Sequence, residues 1–248
     1  SPYLGKIVIK KNRDFIFNGG IYAGKGRLKL FGSNFSFNYD QFKIDLNSID
    51  SVQLSVPVRP IRLDNYNNEV LTRVKTVIEA VTGELIIDDP TNKSGIRKDS
   101  FPQFPIFKSF NDSYAYYDKP EIYNRVYDRK DFYFHLNEFE IDSLDSYTGK
   151  GIWFSGEFKS SGIFPDFKDT LRLQRDYSLG FSRSAPDSGF AIYNNKAKYF
   201  NEIYLSDKGL KGKGRLEYLS ASALSKDISF FPDSTNLISD KFYVERVE

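Results

Sequence analysis

A glycine–lysine–glycine step recurs along this chain, and each copy leads into an apolar run. It reads GKGRL at Gly24–Leu28 and again at Gly212–Leu216, and GKGIWF at Gly149–Phe154. In chain order the copies begin at Gly24, Gly149 and Gly212. The first of these two gaps is about twice the second, which predicts a repeat of roughly 60 residues. A weaker copy, TGELIID at Thr82–Asp88, lies near the position where this spacing expects one.

Two further markers roughly follow the same spacing. Phenylalanine–proline pairs occur at Phe101-Pro102, Phe164-Pro165 and Phe231-Pro232, and AYYDK at 115–119 resembles AIYNNK at 191–196. The first unit lacks the Phe-Pro pair and fits least well. The spacing therefore predicts one β-rich repeat module with units at approximately 1–66, 67–130, 131–195 and 196–248.

The units have the pattern of strands. RLKLF, FSFNY, FKIDL, DFYFHL and IRLD alternate apolar and polar residues, and glycine- and asparagine-rich turns separate the runs. The predicted fold is mainly β, an antiparallel β-repeat with stacked, solenoid-like or sandwich-like sheets. Glycine at a strand entry permits a positive φ. Structural roles are therefore predicted for Gly24, Gly26, Gly83, Gly149, Gly151, Gly212 and Gly214, and for Pro102, Pro165 and Pro232. On this view Gly151→Val unfolds or aggregates the module.

One short α-helix is predicted near residues 68–82. Leu71, Val74, Ile78 and Val81 fall on one helical face, and Gly83 follows where a left-handed end residue belongs. Alternation of Thr72, Val74, Thr76 and Ile78 on one face supports a strand instead, so that alternative stays open.

Composition limits the partners and the compartment only in part. The chain has 248 residues with 35 basic and 33 acidic side chains, so its near-neutral field does not favour nucleic acid. It contains no cysteine, which excludes disulfides and thiolate metal sites. No apolar run is long enough for a transmembrane helix. The first and last residues lie in or near strand-like sequence, so we expect the segment to continue into flanking repeats of a longer chain.

Aromatic side chains form the first candidate ligand site. Tyrosines crowd the stretch from Tyr114 to Tyr133, and the single tryptophan follows at Trp153. Exposed aromatic rings stack on sugars or bases, whereas half-exposed sheets also pack tyrosines across strands. Tyr116, Tyr123, Tyr127 and Trp153 are the candidate ligand-binding residues, with cross-strand packing as the alternative.

An oxygen-rich loop is the candidate metal site. IDDPTNKSG at Ile87–Gly95 places Asp88, Asp89 and Asn92 close to a glycine, a composition that calcium favours. The EF-hand spacing is absent, and an ordinary turn is the competing interpretation. No other cofactor is expected.

Catalytic constellations are weak. His135 is the only histidine, and it lies on the polar face of DFYFHL. Glu138, Glu140 and Asp142, followed by Asp145, supply carboxylates for glycosidic acid–base chemistry, although a solvated strand face gives the same pattern. GLKGKG continues as a strand and so lacks the helix that a phosphate-binding loop requires. Whether the protein is an enzyme stays open, with a non-catalytic role favoured.

Four runs carry a family resemblance. VIEAVTGELIIDDPTNKSG (77–95), FPQFPIF, SYAYYDKPEIYNRVYDRKDFYF and FSGEFKSSGIFPDF resemble segments of very long, largely uncharacterised β-rich cell-envelope proteins of Gram-negative bacteria. The resemblance implies a periplasmic or outer-membrane-associated module and no known active site.

These observations predict a non-catalytic structural or binding module of a large cell-envelope protein, acting as a scaffold or as a groove for a lipid or protein partner. A carbohydrate-binding β-sandwich is the first alternative. A glycoside hydrolase that uses the carboxylates is the second.

Overall fold

The computed structural model describes residues 2–245. Strands account for 55% of the chain and helical residues for 2%, and no helix of seven or more residues occurs within the described range. The strand pairings within each unit are antiparallel. The mainly β, antiparallel prediction is confirmed.

The regular elements are nineteen strands and two single 3-10 turns within residues 2–245. The turns are Gly24–Gly26 and Lys98–Ser100. The strands are β1 Pro2–Ile9, β2 Phe15–Ala23, β3 Leu28–Asn38, β4 Lys43–Pro57, β5 Leu71–Arg73, β6 Ile78–Glu79, β7 Val81–Ile86, β8 Ile106–Ser109, β9 Ser113–Tyr116, β10 Phe132–Leu136, β11 Glu140–Ile141, β12 Trp153–Ser160, β13 Phe167–Leu173, β14 Leu179–Ser184, β15 Phe190–Ile192, β16 Ala197–Ser206, β17 Gly209–Tyr218, β18 Ala221–Phe230 and β19 Thr235–Val244.

The chain divides into two compact units, each made of two segments. The first unit comprises Ser1–Ala115 and Leu136–Phe154, and the second comprises Tyr116–His135 and Ser155–Glu248. This division into compact units does not test the four units predicted from sequence spacing, so the 60-residue repeat stays a prediction.

The first unit is built around the antiparallel meander of β2, β3 and β4. Leu28 pairs with Leu54 and Leu30 with Val52, and all four side chains are buried. Alternation places Leu28, Leu30 and Gly32 in the core, as the sequence RLKLF predicts, and it resumes one residue out of phase at Phe35 and Phe37. Each buried leucine or phenylalanine stabilises the unit by roughly 1.5–3 kcal/mol.

The second unit contains a longer meander, β16 to β19, with aromatic packing beneath it. Phe164, Tyr199 and Phe230 are buried, and their rings meet edge to face, with centroids 5.0 Å apart for Phe230 and either partner. Edge-to-face contacts are a favoured geometry for aromatic rings. The high phenylalanine content therefore supplies the core of this unit.

The predicted helix near residues 68–82 is wrong, since this stretch forms β5, β6 and the start of β7. Val74, Thr76 and Ile78 are buried in alternation, and the alternation resumes one residue later at Val81. Ala80, at φ +59°, supplies the extra residue. This one-residue shift gives 74, 78 and 81 a helix-like spacing. The β-branched residues favour strands because a helix restricts their χ1 angle.

Two smaller predictions also change. Gly83 lies in β7, paired with Leu46 and Ser109, and does not end a helix. The IRLD run at 61–64 forms no strand and contributes only an isolated bridge from Leu63 to Glu69. Ile61 and Leu63 are exposed, so this alternating run has no sheet surface on which to bury its apolar side.

Candidate functional site

The predicted aromatic site does not form one exposed surface. Tyr127 is 1% exposed, its ring stacks on Phe132 at 3.9 Å between centroids, and its hydroxyl donates to the Phe230 carbonyl at 2.7 Å. Burial raises the pKa of Tyr127, so the hydroxyl stays protonated as a structural donor. Tyr127 is a core residue of the second unit.

The other three candidates have separate surroundings. Tyr123 is partly exposed and packs edge to face on Phe231, close to Tyr127. Tyr116 is half-buried and lies beneath the Arg129 guanidinium, which is 4.4 Å from the ring centroid. Trp153 belongs to the first unit and is 56% exposed. Of the four, the structure brings only Tyr123 and Tyr127 together.

The candidate calcium loop is closed by its own hydrogen bonds. Asp88 accepts from the amide nitrogen of Asp89 and from the Asn92 side chain, at 2.7 and 3.0 Å. Asp89 accepts from the backbone and hydroxyl of Thr91, and these bonds hold the pKa of Asp89 below its ordinary value. The Asn92 oxygen accepts from the amide of Arg97. The oxygens therefore organise a turn, which is the competing interpretation of this sequence.

Two of the candidate catalytic carboxylates form ion pairs. Glu140 pairs with Lys108 at 3.0 Å, and Asp145 pairs with Lys98. Glu138 and Asp142 are exposed, and His135 is half-buried in β10. Across the described part of the chain, no three histidine, cysteine or acidic side chains cluster as a metal site would require. Between residues 2 and 245, no helix is both long and apolar enough to cross a membrane.

The three glycine–lysine–glycine copies occupy different positions. Gly24 and Gly26 flank a tight turn after β2 with φ of +61° and +87°. Gly149 and Gly151 lie in a turn before β12, and Gly212 and Gly214 lie inside β17. The expectation of a positive φ at each strand entry holds only for the first copy. The glycines of the other two copies do not have a positive φ.

The first copy is shaped by a close approach within the first unit. A Cβ on Gly24 would lie 2.3 Å from the Leu144 carbonyl oxygen. Near this contact, the Tyr147 hydroxyl donates to the Arg27 carbonyl at 2.6 Å and lies 3.0 Å from the Ser55 carbonyl. The buried Arg27 returns a hydrogen bond to the Tyr147 carbonyl at 3.2 Å and pairs with Glu69. This glycine turn is the docking point for residues 144–147.

The phenylalanine–proline markers also differ from one another in their surroundings. Phe164 and Phe231 are buried in the second unit, whereas Phe101 is half-buried in the first. Pro102 and Pro165 are exposed, and Pro232 lines a groove in the second unit.

This groove has a volume of about 660 Å³. Its base includes Ala197 on β16 and Leu216 and Tyr218 on β17, which share one face of the meander. Polar and turn residues surround that base. They are Ser161, Gly162, Tyr193, Asn194, Lys196, Pro232, Asp233, Ser234 and Thr235. A volume of several hundred cubic ångströms is usual for a ligand site.

The turns that form the sides of the groove are held by internal hydrogen bonds. The Tyr193 hydroxyl lies within 2.7–2.9 Å of the Phe231 carbonyl, the Ser234 carbonyl and the Thr235 hydroxyl. On another side, the Ser161 amide and hydroxyl donate to Asp131 at 2.8 and 2.9 Å. These contacts fix the groove before any ligand arrives, which lowers the ordering cost of binding.

The last strand of the meander presents an open edge. β19 pairs with β18 along one side, and no pairing of β19 with a second strand occurs in the described residues. Phe242, Tyr243 and Val244 are each more than half exposed. Next to them, the register shifts between Leu224 and Ser225, where Asp240 is the extra residue. The edge strand is therefore divided by a bulge.

Comparisons with protein-family models, with curated proteins and with solved structures find no significant match to this chain.

Sequence reasoning missed the groove residues because they come from distant segments. Tyr193, Tyr218 and Asp233 lie in three different connections or strand ends, and only β-pairing brings them together. The sequence contains one local signal, the asparagine pair Asn194-Asn195. Tyr193, Asn194 and Asn195 all adopt a positive φ, a conformation in which asparagine is enriched.

Proposed function

We propose that the protein is a non-catalytic structural and binding module of a larger cell-envelope protein, and that its edge strand β19 pairs with an extended segment of a protein partner. The observation that carries this proposal is the open side of a ten-residue strand with three exposed apolar side chains at its end. An unpaired edge offers backbone donors and acceptors that match another strand.

The pairing segment is Lys241–Val244. Phe242 and Val244 share a face with Ala223 and Ala221 of β18, so a partner strand would extend an apolar row. Bulges and lysines are devices that block edge pairing, and here the bulge at Asp240 precedes Lys241. They interrupt the edge near its middle and confine pairing to the segment that carries the apolar side chains.

The contacts of two candidate acid–base carboxylates support a non-catalytic role. Glu140 and Asp145 are held in ion pairs with Lys108 and Lys98. These polar groups stabilise strands and turns. The location in the cell envelope is supported by the four runs that resemble envelope proteins.

Proline substitutions in the full-length protein test the edge. Adjacent residues of an antiparallel strand point their N–H groups in opposite directions, so Phe242→Pro and Tyr243→Pro form a matched pair. The proline at the residue whose N–H points toward β18 removes a hydrogen bond of the sheet, and we expect it to lower the melting temperature. The proline at the residue whose N–H points away from β18 removes a donor available to the partner, and we expect it to weaken the partner contact with a smaller loss of stability.

Amide hydrogen exchange in the full-length protein provides the readout. We expect slow exchange at the outward-facing amides of Lys241–Val244, and faster exchange in the outward proline variant. Outward amides that exchange as fast as those of the exposed loop around Tyr66 would show that no strand is added there, and the proposal would be wrong.

A further inference from the structure

We infer that the groove of the second unit binds a neutral glycan, with Tyr218 as the stacking platform. This inference is independent of strand addition at β19, because it rests on the groove lining alone.

Tyr218 has an unusually open position in the sheet. Its cross-strand neighbours are Ala197 on β16 and Ala221 on β18, so no large side chain stands beside the ring on either strand. The side chain is 52% exposed although it lies on the groove base. The next row carries Leu216, which extends the apolar base. An uncovered aromatic face beside apolar surface suits the C–H face of a pyranose ring.

The groups around the ring suit hydroxyls. Asn194 supplies an amide that both donates and accepts. The Ser161 and Ser234 hydroxyls donate to Asp131 and Asp233, so toward a ligand they offer acceptor oxygens. Asp233 adds acceptor oxygens. A sugar hydroxyl donates and accepts at once, so it pairs with this mixture better than a pure donor or a pure acceptor does.

The charge balance distinguishes the ligand class. Lys196 is the cation and Asp233 the anion of the lining, so the groove has no net charge of either sign. A phosphate or polyanionic chain needs several cations. An acyl chain needs a wholly apolar lining, which the polar turns do not provide. A neutral saccharide needs neither several cations nor a wholly apolar lining, so this groove suits it.

The fixed turns set the orientation. Tyr193 clamps residues 231–235 through its hydroxyl, which places Asp233 and Ser234 beside the groove. A second recess, lined by Lys130, Tyr133 and Asp166 among others, shares the Ser161–Gly162 turn with the groove. The two recesses thus share a wall, which favours an oligosaccharide over a single sugar.

Calorimetric titration with cello-, chito-, xylo- and malto-oligosaccharides tests the inference. We expect at least one of these four neutral classes to bind. Tyr218→Ala should weaken that binding about tenfold or more, which corresponds to one aromatic stacking contact. Asn194→Ala should weaken it to a smaller degree. Tyr66→Ala is the matched control, because Tyr66 is 86% exposed in the first unit and should leave binding unchanged.

Each contrary result overturns the inference. Failure of all four classes to bind, or equal binding by wild type and Tyr218→Ala, removes the glycan site. Competition by inorganic phosphate together with loss of binding in Lys196→Ala would identify an anion site instead. The melting temperature of each variant separates a lost contact from a lost fold, and failure here leaves the β19 proposal untouched.

Discussion

The chain contains Gly-Lys-Gly-Arg-Leu twice, and the two copies fold differently. At Gly24–Leu28 the backbone turns through three successive residues with positive φ. At Gly212–Leu216 it is extended within β17, between β16 and β18, and its register with β18 shifts between Gly212 and Gly214. Five identical residues therefore do not fix a backbone. What surrounds each glycine decides its role. Gly24 lies against the Leu144 carbonyl, Gly212 against the Tyr199 and Phe230 side chains, and Gly214 against the Phe200 carbonyl.

The largest effect is expected at the first copy. Gly24→Ala combines a left-handed φ with a Cβ 2.3 Å from the Leu144 carbonyl oxygen. We expect a loss of about 3 kcal/mol in the free energy of unfolding, because strain and backbone collision add. Urea unfolding measures it. A loss below that of Gly212→Ala would reverse the comparison.

A smaller loss is expected for Gly212→Ala in the second copy. In Gly212→Ala the new methyl group would lie 2.5 Å from the Tyr199 hydroxyl and 2.8 Å from the Phe230 ring. These are side-chain atoms, and an overpacked core costs about 1–3 kcal/mol. Thermal unfolding checks the value. Unchanged stability would show that the aromatic cluster accommodates a methyl group.

The docking of residues 144–147 on the first copy can be weakened without touching a glycine. Tyr147→Phe removes a hydroxyl that contacts two carbonyls, and we expect a loss of about 1–2 kcal/mol. Burial raises the pKa of Tyr147 above its ordinary value, so the folded state holds the proton more tightly than the unfolded state.

This difference in proton affinity gives the substitution a pH signature. The contribution of Tyr147 is full below pH of about 10, the ordinary tyrosine pKa, and is lost as pH rises above it. Wild type should therefore lose stability more steeply than Tyr147→Phe above that pH, as followed by denaturant midpoints. Parallel alkaline curves would contradict a buried, protonated hydroxyl.

The third copy should respond least. A Cβ on Gly151 would meet only the Thr148 carbonyl, at 3.5 Å, and this residue is exposed without a positive φ. The structure thus removes the reason to expect unfolding from Gly151→Val. We expect a change within about 0.5 kcal/mol, as is usual at surface positions. A collapse in melting temperature would restore the shared architectural role that the sequence suggested.

Secondary structure was more predictable than the candidate site. Period-two alternation located β3, β4 and β10, because a half-buried strand must alternate wherever one face meets the core. The helical period misled at 74–81, where the extra residue Ala80 between two strands produced a helix-like spacing, whereas alternation of Val74, Thr76 and Ile78 indicated the strand. Tyr127 and Tyr218 illustrate the limit for sites. Both are tyrosines, yet one is in the core and the other lines a groove.

The sequence by itself determined the class of structure, since alternation, β-branched residues and turn glycines together favour antiparallel strands over helices. Only the tertiary structure decided which tyrosines stay accessible, which glycines are indispensable and where a groove forms. The physical reason is that burial and close approach depend on residues far away in the chain. Leu144 acts on Gly24, and Ala197 and Ala221 leave Tyr218 uncovered, through contacts that no local pattern encodes.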